Sequence, residues 1–175
     1  FHSLIKNFSI EHELVIDSDY RKVGITKLER FFSPLNEETN FKIKQLLRKL
    51  TKNKKRSIKK INVKGREFKI VNYFERVALF NFDDLCDQNL GSEDYIKICE
   101  ECDFISIENI PKFNDENADT QNRFITLIDI AYEKKMPLLI SSNCKLSQLG
   151  SSQRLEKPFK RTLSRIFELT SPDIQ

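Results

Sequence analysis

The sequence has little glycine or proline, no tryptophan and no long apolar run. With 4 Gly and 5 Pro in 175 residues, a collagen-like or Gly/Ser-rich chain is excluded. Hydrophobic residues at 39% are too frequent for a largely disordered chain. No apolar run approaches the roughly 18 residues of a membrane helix, so the sequence predicts no transmembrane segment. The glycines are isolated, and no G-x-x-x-x-G-K-[ST] phosphate-binding loop is present.

The four cysteines are too sparse for a secreted disulfide framework, and no signal peptide opens the chain. The sequence therefore predicts a reducing, cytoplasmic environment. The length favours one domain, or slightly more than one. A net charge of +4 permits an anionic partner without requiring one.

Residues 77–143 alternate between short apolar strands and amphipathic helices. Strands are predicted at 77–82, 104–107 and 138–140, with helices beginning near Ser92 and spanning about 119–135. This alternation predicts an α/β fold, a mostly parallel sheet covered by helices. A last helix is predicted at about 158–169, where Pro158 suits the first turn.

The first part of the chain is more polar and more basic. A helix is predicted at 1–8, a strand at 14–16, and a further helix after Asn36. Residues 51–57 contain no apolar side chain and are interpreted as a mobile linker. Alternating apolar residues on both sides of Lys64 and Gly65 predict a β-hairpin. We therefore divide the chain into residues 1–57, ending in a lid-like helix and basic linker, and a C-terminal α/β unit, 58–175.

Ligands of parallel α/β sheets bind beyond the carboxyl ends of the strands, where Glu108 and Asn143 are predicted to lie. Glu108 follows an apolar strand, as the carboxylate of a Walker B element does. Asn143 follows the next strand and is a candidate for the water-orienting sensor of an ATPase. Both residue types are also common in turns and caps, and the local pattern alone favours that interpretation.

Two further groups carry possible chemistry. Arg161 and Arg165 are four residues apart on one helical face, as an arginine finger or sensor requires, although an acid-paired surface would look the same. Cys99 and Cys102 form a C-x-x-C pair inside a predicted helix. Zinc would need two more ligands, so we interpret them as core residues and predict no metal site.

The basic stretch 42–69 offers an alternative function. It could follow a nucleic-acid backbone through cations that include Lys54, Lys55, Arg56, Lys59 and Lys60. Aromatic residues are not regularly interleaved with these cations, so a solvated surface is favoured and a nucleic-acid partner is not expected. A protein-interaction module that uses the same stretch stays open as well.

Five strings in a fixed order carry a family resemblance. They are residues 19–21 (DYR), 76–86 (RVALFNFDDLC), 90–95 (LGSEDY), 123–133 (RFITLIDIAYE) and 159–169 (FKRTLSRIFEL). Together they resemble the C-terminal half of the ZapE/Afg family of AAA+ ATPases, which act in bacterial cell division or in mitochondria.

The resemblance implies an ATP-driven, oligomeric machine that uses ATP and Mg²⁺. In bacteria its partner would be the FtsZ ring; in mitochondria its role would be protein quality control in the matrix. The family's Walker A, Walker B and first sensor precede the part that this chain resembles. We therefore expect a C-terminal piece that joins the rest of the ATPase and neither binds nucleotide nor hydrolyses it alone. Residues 77–143 would be a degenerate second copy of a P-loop ATPase core, with Glu108 and Asn143 as relics.

Overall fold

A computed structural model describes residues 24–172. The chain forms one six-stranded mixed sheet with helices on both faces, in the strand order β1-β6-β5-β4-β3-β2. The strands are β1 Phe31–Phe32, β2 Arg56–Val63, β3 Arg66–Phe74, β4 Val77–Asn81, β5 Phe104–Ile110 and β6 Leu138–Ser142. The helices are α1 Glu37–Thr51, α2 Phe82–Cys86, α3 Ser92–Glu100, α4 Ala118–Glu133 and α5 Glu156–Thr170. This confirms the predicted α/β class.

The predicted strands β4, β5 and β6 are adjacent and parallel. The short strand β1 extends the parallel part beside β6, and the β2–β3 hairpin adds antiparallel strands beside β4. The sheet therefore has the adjacency that a degenerate ATPase core requires. The duplication itself stays a prediction.

The two faces of the sheet bury alternate residues of the same strands. Ile105 and Ile107 of β5 pack on one face with α2 to α5, whereas Phe104 packs on the other with α1. Burial on both faces explains why the strands are nearly continuous apolar runs. The apolar stripe of α1, centred on Ile43 and Leu46, covers the second face.

Four phenylalanine rings from separate elements form the centre of the larger core cluster. Phe113 follows β5, and its ring centroid lies 5.8 Å from that of Phe82, 5.7 Å from that of Phe124 and 5.4 Å from that of Phe159. These residues belong to the β5–α4 connection, α2, α4 and α5, so the cluster joins most of the helical layer to the sheet.

Side-chain caps explain where two of the helices begin. Asn36 accepts a hydrogen bond from the Thr39 N–H at 2.9 Å, which confirms the predicted start of α1. For α3, the prediction placed the N-cap at Ser92, but Gly91 occupies that position. The Asp94 carboxylate accepts the Gly91 N–H at 2.8 Å, a cap supplied from the third helical residue.

The predicted linker 51–57 is shorter than expected. Thr51 still belongs to α1 and β2 already begins at Arg56, so only Lys52 to Lys55 lie outside helix and strand. The proposed domain boundary after residue 57 therefore falls inside β2, and the division into two units stays a prediction. The helix predicted at 1–8 and the strand predicted at 14–16 lie outside the described residues.

Within residues 24–172, no helix is long and apolar enough to cross a membrane.

Candidate functional site

The carboxyl edge of the parallel strands is irregular. Strand β5 continues through Glu108 to Ile110, so the predicted strand end at Ile107 is three residues too early. The pairing with β6 shifts between Ile107 and Ile110, and Asn109 has a left-handed φ of 64°. Its N–H donates to Ser141 Oγ at 3.1 Å. This local distortion lies where parallel sheets place ligands.

Glu108 lies within β5, level with Asn81 of β4, and is half-buried. Burial raises the pKa of its carboxyl, and the positive charge of Lys44 on α1 opposes that rise. Asn143 is exposed and follows Ser142, the partner of Ile110, so the register sets it past the end of β6. Strands β5 and β6 are neighbours, as predicted. Glu108, however, lies within β5 and close to Lys44 of α1, and does not follow the end of the strand as predicted. That both residues are relics of a nucleotide site stays a prediction.

Arg161 and Arg165 of α5 meet one carboxylate of α4. Arg165 Nη1 donates to Asp129 Oδ1, and the Arg161 Nη2 atom lies 3.8 Å from Asp129 Oδ2. The Arg165 guanidinium also lies over the Tyr132 ring, 4.7 Å from its centroid. The two arginines share a face, as their spacing predicts, and both lie next to the same carboxylate.

The two arginines differ in how much of the side chain reaches solvent. Arg161 is 61% exposed and Arg165 is 24% exposed. Arg165 is held between α4 and α5 by its hydrogen-bonded salt bridge to Asp129 and by the Tyr132 ring, whereas Arg161 has only a long contact with Asp129. Of the pair, Arg161 is the one whose guanidinium can extend to a separate molecule without leaving a close partner.

Two features typical of nucleotide and metal sites are absent, one from the sequence and one from the described residues. The chain has no glycine-rich phosphate loop, and residues 24–172 contain no group of three His, Cys, Asp or Glu side chains arranged to hold a metal. Burial raises the pKa of the Cys99 thiol to about 11 and that of Cys102 to about 12. Both thiols belong to the core cluster.

The basic stretch divides into paired and unpaired cations. Lys59, Lys64 and Arg66 contact Glu101, Glu93 and Asp94, and so fasten the β2–β3 hairpin to α3 and the turn that follows it. Of the predicted nucleic-acid residues, only Lys59 has such a pair. Lys54, Lys55, Arg56 and Lys60 make no ion pair with a carboxylate of residues 24–172.

Sequence reasoning missed Arg30, whose side chain is buried to 1% exposure. Its guanidinium donates to the carbonyls of Leu138 at 3.0 Å and Leu169 at 3.0 Å, which belong to β6 and α5. Longer bonds reach the carbonyls of Ile25, Leu28 and Ser171. The only signal in the sequence was a lone arginine before two phenylalanines, which carries no chemistry by itself.

Comparison with known proteins identifies the family of this chain. The family model described as AFG1-like ATPase matches residues 9–175, nearly the whole chain. The chain belongs to the AFG1-like ATPase family. This confirms the resemblance that the five strings predict.

Two curated relatives show how much of a longer protein the chain covers. Cell division protein ZapE of Escherichia coli K12 is 25% identical over 89% of this chain and 41% of its own length. Lactation elevated protein 1 homolog B of Danio rerio is 34% identical over 51% of this chain and 18% of its own length. The chain thus spans about two fifths of ZapE. No solved structure matches the chain significantly.

Proposed function

We propose that this chain serves as the C-terminal part of an ATP-driven, oligomeric AAA+ machine. It provides the supporting sheet, contacts between subunits, and a guanidinium group directed at nucleotide that other residues hold. Family membership and the absence of a phosphate loop support this division of labour. The single observation that carries the proposal is the exposed guanidinium of Arg161, which lies 3.8 Å from Asp129 while Arg165 makes the close bond to that carboxylate.

The geometry gives the two arginines different roles. Arg161 would extend to the γ-phosphate or to the charge that develops during hydrolysis, where a fixed guanidinium stabilises the transition state. Arg165 would act as a positioning residue, because it occupies Asp129 and anchors α5 against α4. Glu108 and Asn143 carry no step in this mechanism.

Replacing Arg161 with Ala is expected to lower ATP turnover about tenfold in a protein that joins this chain to the family's nucleotide-binding half. The reason is the loss of a positive charge next to the developing negative charge, so kcat should fall more than KM rises. Arg165→Ala should lower turnover as well, with a loss of thermal stability that Arg161→Ala lacks. Steady-state kinetics and thermal melts measure both effects.

Arg154→Ala is the matched control, because Arg154 is an exposed arginine with only a 3.8 Å contact to the exposed Asp119. Its turnover should equal that of the parent protein. Unchanged turnover in the Arg161→Ala and Arg165→Ala double variant would remove both arginines from the mechanism.

The cellular role we propose follows the bacterial relative. ZapE of Escherichia coli is, by its name, a cell division protein. We propose that the present chain acts in the cytoplasm as part of a homo-oligomer on an FtsZ-type division protein, and the mitochondrial matrix is the alternative. Co-sedimentation of the assembled ATPase with FtsZ polymers tests the partner; protein that stays in the supernatant with and without ATP would remove it.

A further inference from the structure

Strand β2 forms one edge of the sheet. It runs from Arg56 to Val63 and pairs only with β3 among the described residues. The other side of an edge strand presents backbone N–H and C=O groups that another extended chain can pair with. At the opposite edge, β1 has only two residues and offers much less backbone.

The hairpin turn determines which backbone groups face outward. Lys64 and Gly65 both have positive φ, 49° and 79°, as the two central residues of a type I′ turn do. In such a two-residue hairpin, the flanking pair Val63 and Arg66 exchanges backbone hydrogen bonds, and such pairs then alternate along the ladder. The N–H and C=O groups of Lys60 and Asn62 therefore point away from β3, toward the open edge.

Unpaired positive charge lies along this edge strand and in the turn that leads into it. The cations of the turn and of β2 that make no ion pair with a carboxylate of residues 24–172 are Lys52, Lys54, Lys55, Arg56 and Lys60. Lys60 also lies directly opposite Lys69 across the ladder, an arrangement of like charges that disfavours the hairpin. A negative charge on a bound partner would offset the repulsion between these two lysines.

Exposed apolar side chains lie on the same hairpin. Ile58 is 59% exposed and Val71 is 51% exposed. Both lie at the irregular step of the ladder, between the pair Ser57–Tyr73 and the pair Lys59–Ile70. The surface beside the open edge thus combines lysines with β-branched apolar groups, which suits a partner that carries both acidic and apolar side chains.

We propose that the open edge of β2 binds an extended acidic segment of a partner protein, which adds to the sheet as a seventh strand. Backbone hydrogen bonds from Lys60 and Asn62 provide the pairing, and the unpaired cations select acidic side chains. The inference does not depend on the ATPase mechanism, because no residue of the arginine pair takes part.

Other occupants fit these observations less well. A nucleic acid would satisfy the cations but not the alternating backbone donors and acceptors, and β2 and β3 offer no exposed aromatic ring for base stacking. A second copy of β2 would bring two lysine-rich strands together. Lysines can also serve only to guard an edge against aggregation, which predicts that an acidic strand does not bind.

The test uses fluorescence anisotropy with the 175-residue chain and a labelled peptide of about ten residues in which Glu and Val alternate. A second peptide has the same sequence but carries N-methyl groups on alternate residues, which keeps its charge and blocks strand pairing. We expect saturable binding of the first peptide and binding about tenfold weaker for the second. Raising the salt concentration should weaken the first interaction.

Protein variants separate backbone from charge. Asn62→Pro removes an outward N–H without changing the charge and should weaken binding about tenfold. The Lys54→Gln and Lys60→Gln double variant should weaken it similarly by removing two cations. Lys160→Gln, an exposed lysine of α5, is the control and should bind as the parent does. If Asn62→Pro does not fold, the N-methylated peptide still tests the same backbone groups.

Three results would overturn the proposal. The first is no binding of the acidic peptide at low salt, which leaves edge protection as the role of the lysines. The second is equal affinity for the two peptides, which shows attraction without strand addition. The third is tighter binding of an oligo-dT probe that displaces the peptide and is unaffected by Asn62→Pro, which assigns the surface to nucleic acid.

Discussion

Replacing Arg30 with methionine is expected to lower the free energy of unfolding by about 3–5 kcal/mol. The change keeps most of the apolar stem but removes every donor that the guanidinium directs at carbonyls of Leu138, Leu169 and their neighbours. Buried acceptors left without a donor keep their desolvation cost. For a chain of this length the melting temperature falls by about 2–4 °C for each kcal/mol of stability lost, so we expect a decrease of roughly 6–20 °C.

The position of Arg30 explains why one side chain has so large an effect. Its own N–H donates to the Thr170 carbonyl at 2.7 Å, and its carbonyl accepts from the Ile140 N–H at 2.8 Å. Arg30 therefore joins the start of β1, the parallel strand β6 and the carboxyl end of α5. The positive charge also meets the negative end of the α5 dipole.

Two variants control for this effect. Arg48→Met removes an exposed arginine with no ion pair in the described chain and should change stability by less than about 0.5 kcal/mol. Arg30→Lys keeps the charge but loses the planar fork, so it should fall between the parent and Arg30→Met. Urea unfolding that places Arg30→Met within about 1 kcal/mol of the parent would show that the buried network does not stabilise the fold.

Replacing Phe113 with alanine is expected to lower the free energy of unfolding by about 3–5 kcal/mol. Phe113 is 1% exposed and contacts the rings of Phe82, Phe124 and Phe159. Alanine would leave a cavity at the point where three helices meet the sheet. The Phe113 N–H bond to the Leu149 carbonyl, 2.7 Å long, fixes the backbone and limits the collapse that would fill that cavity.

Phe167→Ala is the matched control for Phe113→Ala, since the Phe167 side chain is 61% exposed. The same chemical change there should alter the unfolding free energy by less than about 0.5 kcal/mol. Phe113→Leu, which keeps much of the volume, should cost less than half as much as Phe113→Ala. Equal costs for Phe113→Ala and Phe167→Ala would contradict the assigned core.

The arrangement of the central strands was predictable because burial on both faces leaves a strong pattern. The apolar runs that became β4, β5 and β6, with amphipathic helices between them, allow few topologies other than a parallel sheet. The hairpin was predictable too, since Lys64 and Gly65 interrupt two alternating segments. Both signals are local in sequence, which is why they survive without knowledge of the tertiary fold.

Features that depend on distant contacts were not predictable. Arg30 is buried only because Leu138 and Leu169, more than a hundred residues away, bring their carbonyls to it. The extension of β5 through Glu108 depends on Ser141, whose hydroxyl supports the irregular pairing. The linker prediction failed at both ends because it rested on the lack of apolar side chains at 51–57, whereas α1 and β2 both continue into polar residues.

The candidate site shows the same division. The spacing of Arg161 and Arg165 correctly placed them on one helical face, but nothing in the sequence indicated that Asp129 would join them. That carboxylate makes one arginine a support and leaves the other exposed. The different accessibility of two residues with the same spacing therefore required the packing of α5 on α4.

The central claim is that this chain supports an ATPase whose nucleotide is bound by residues outside the chain. Calorimetric titration of Mg²⁺–ATP into the purified 175-residue chain tests it most directly. We predict no saturable binding up to about 1 mM nucleotide and no phosphate release. Saturable binding with a dissociation constant of about 1 μM, accompanied by steady hydrolysis, would contradict the account.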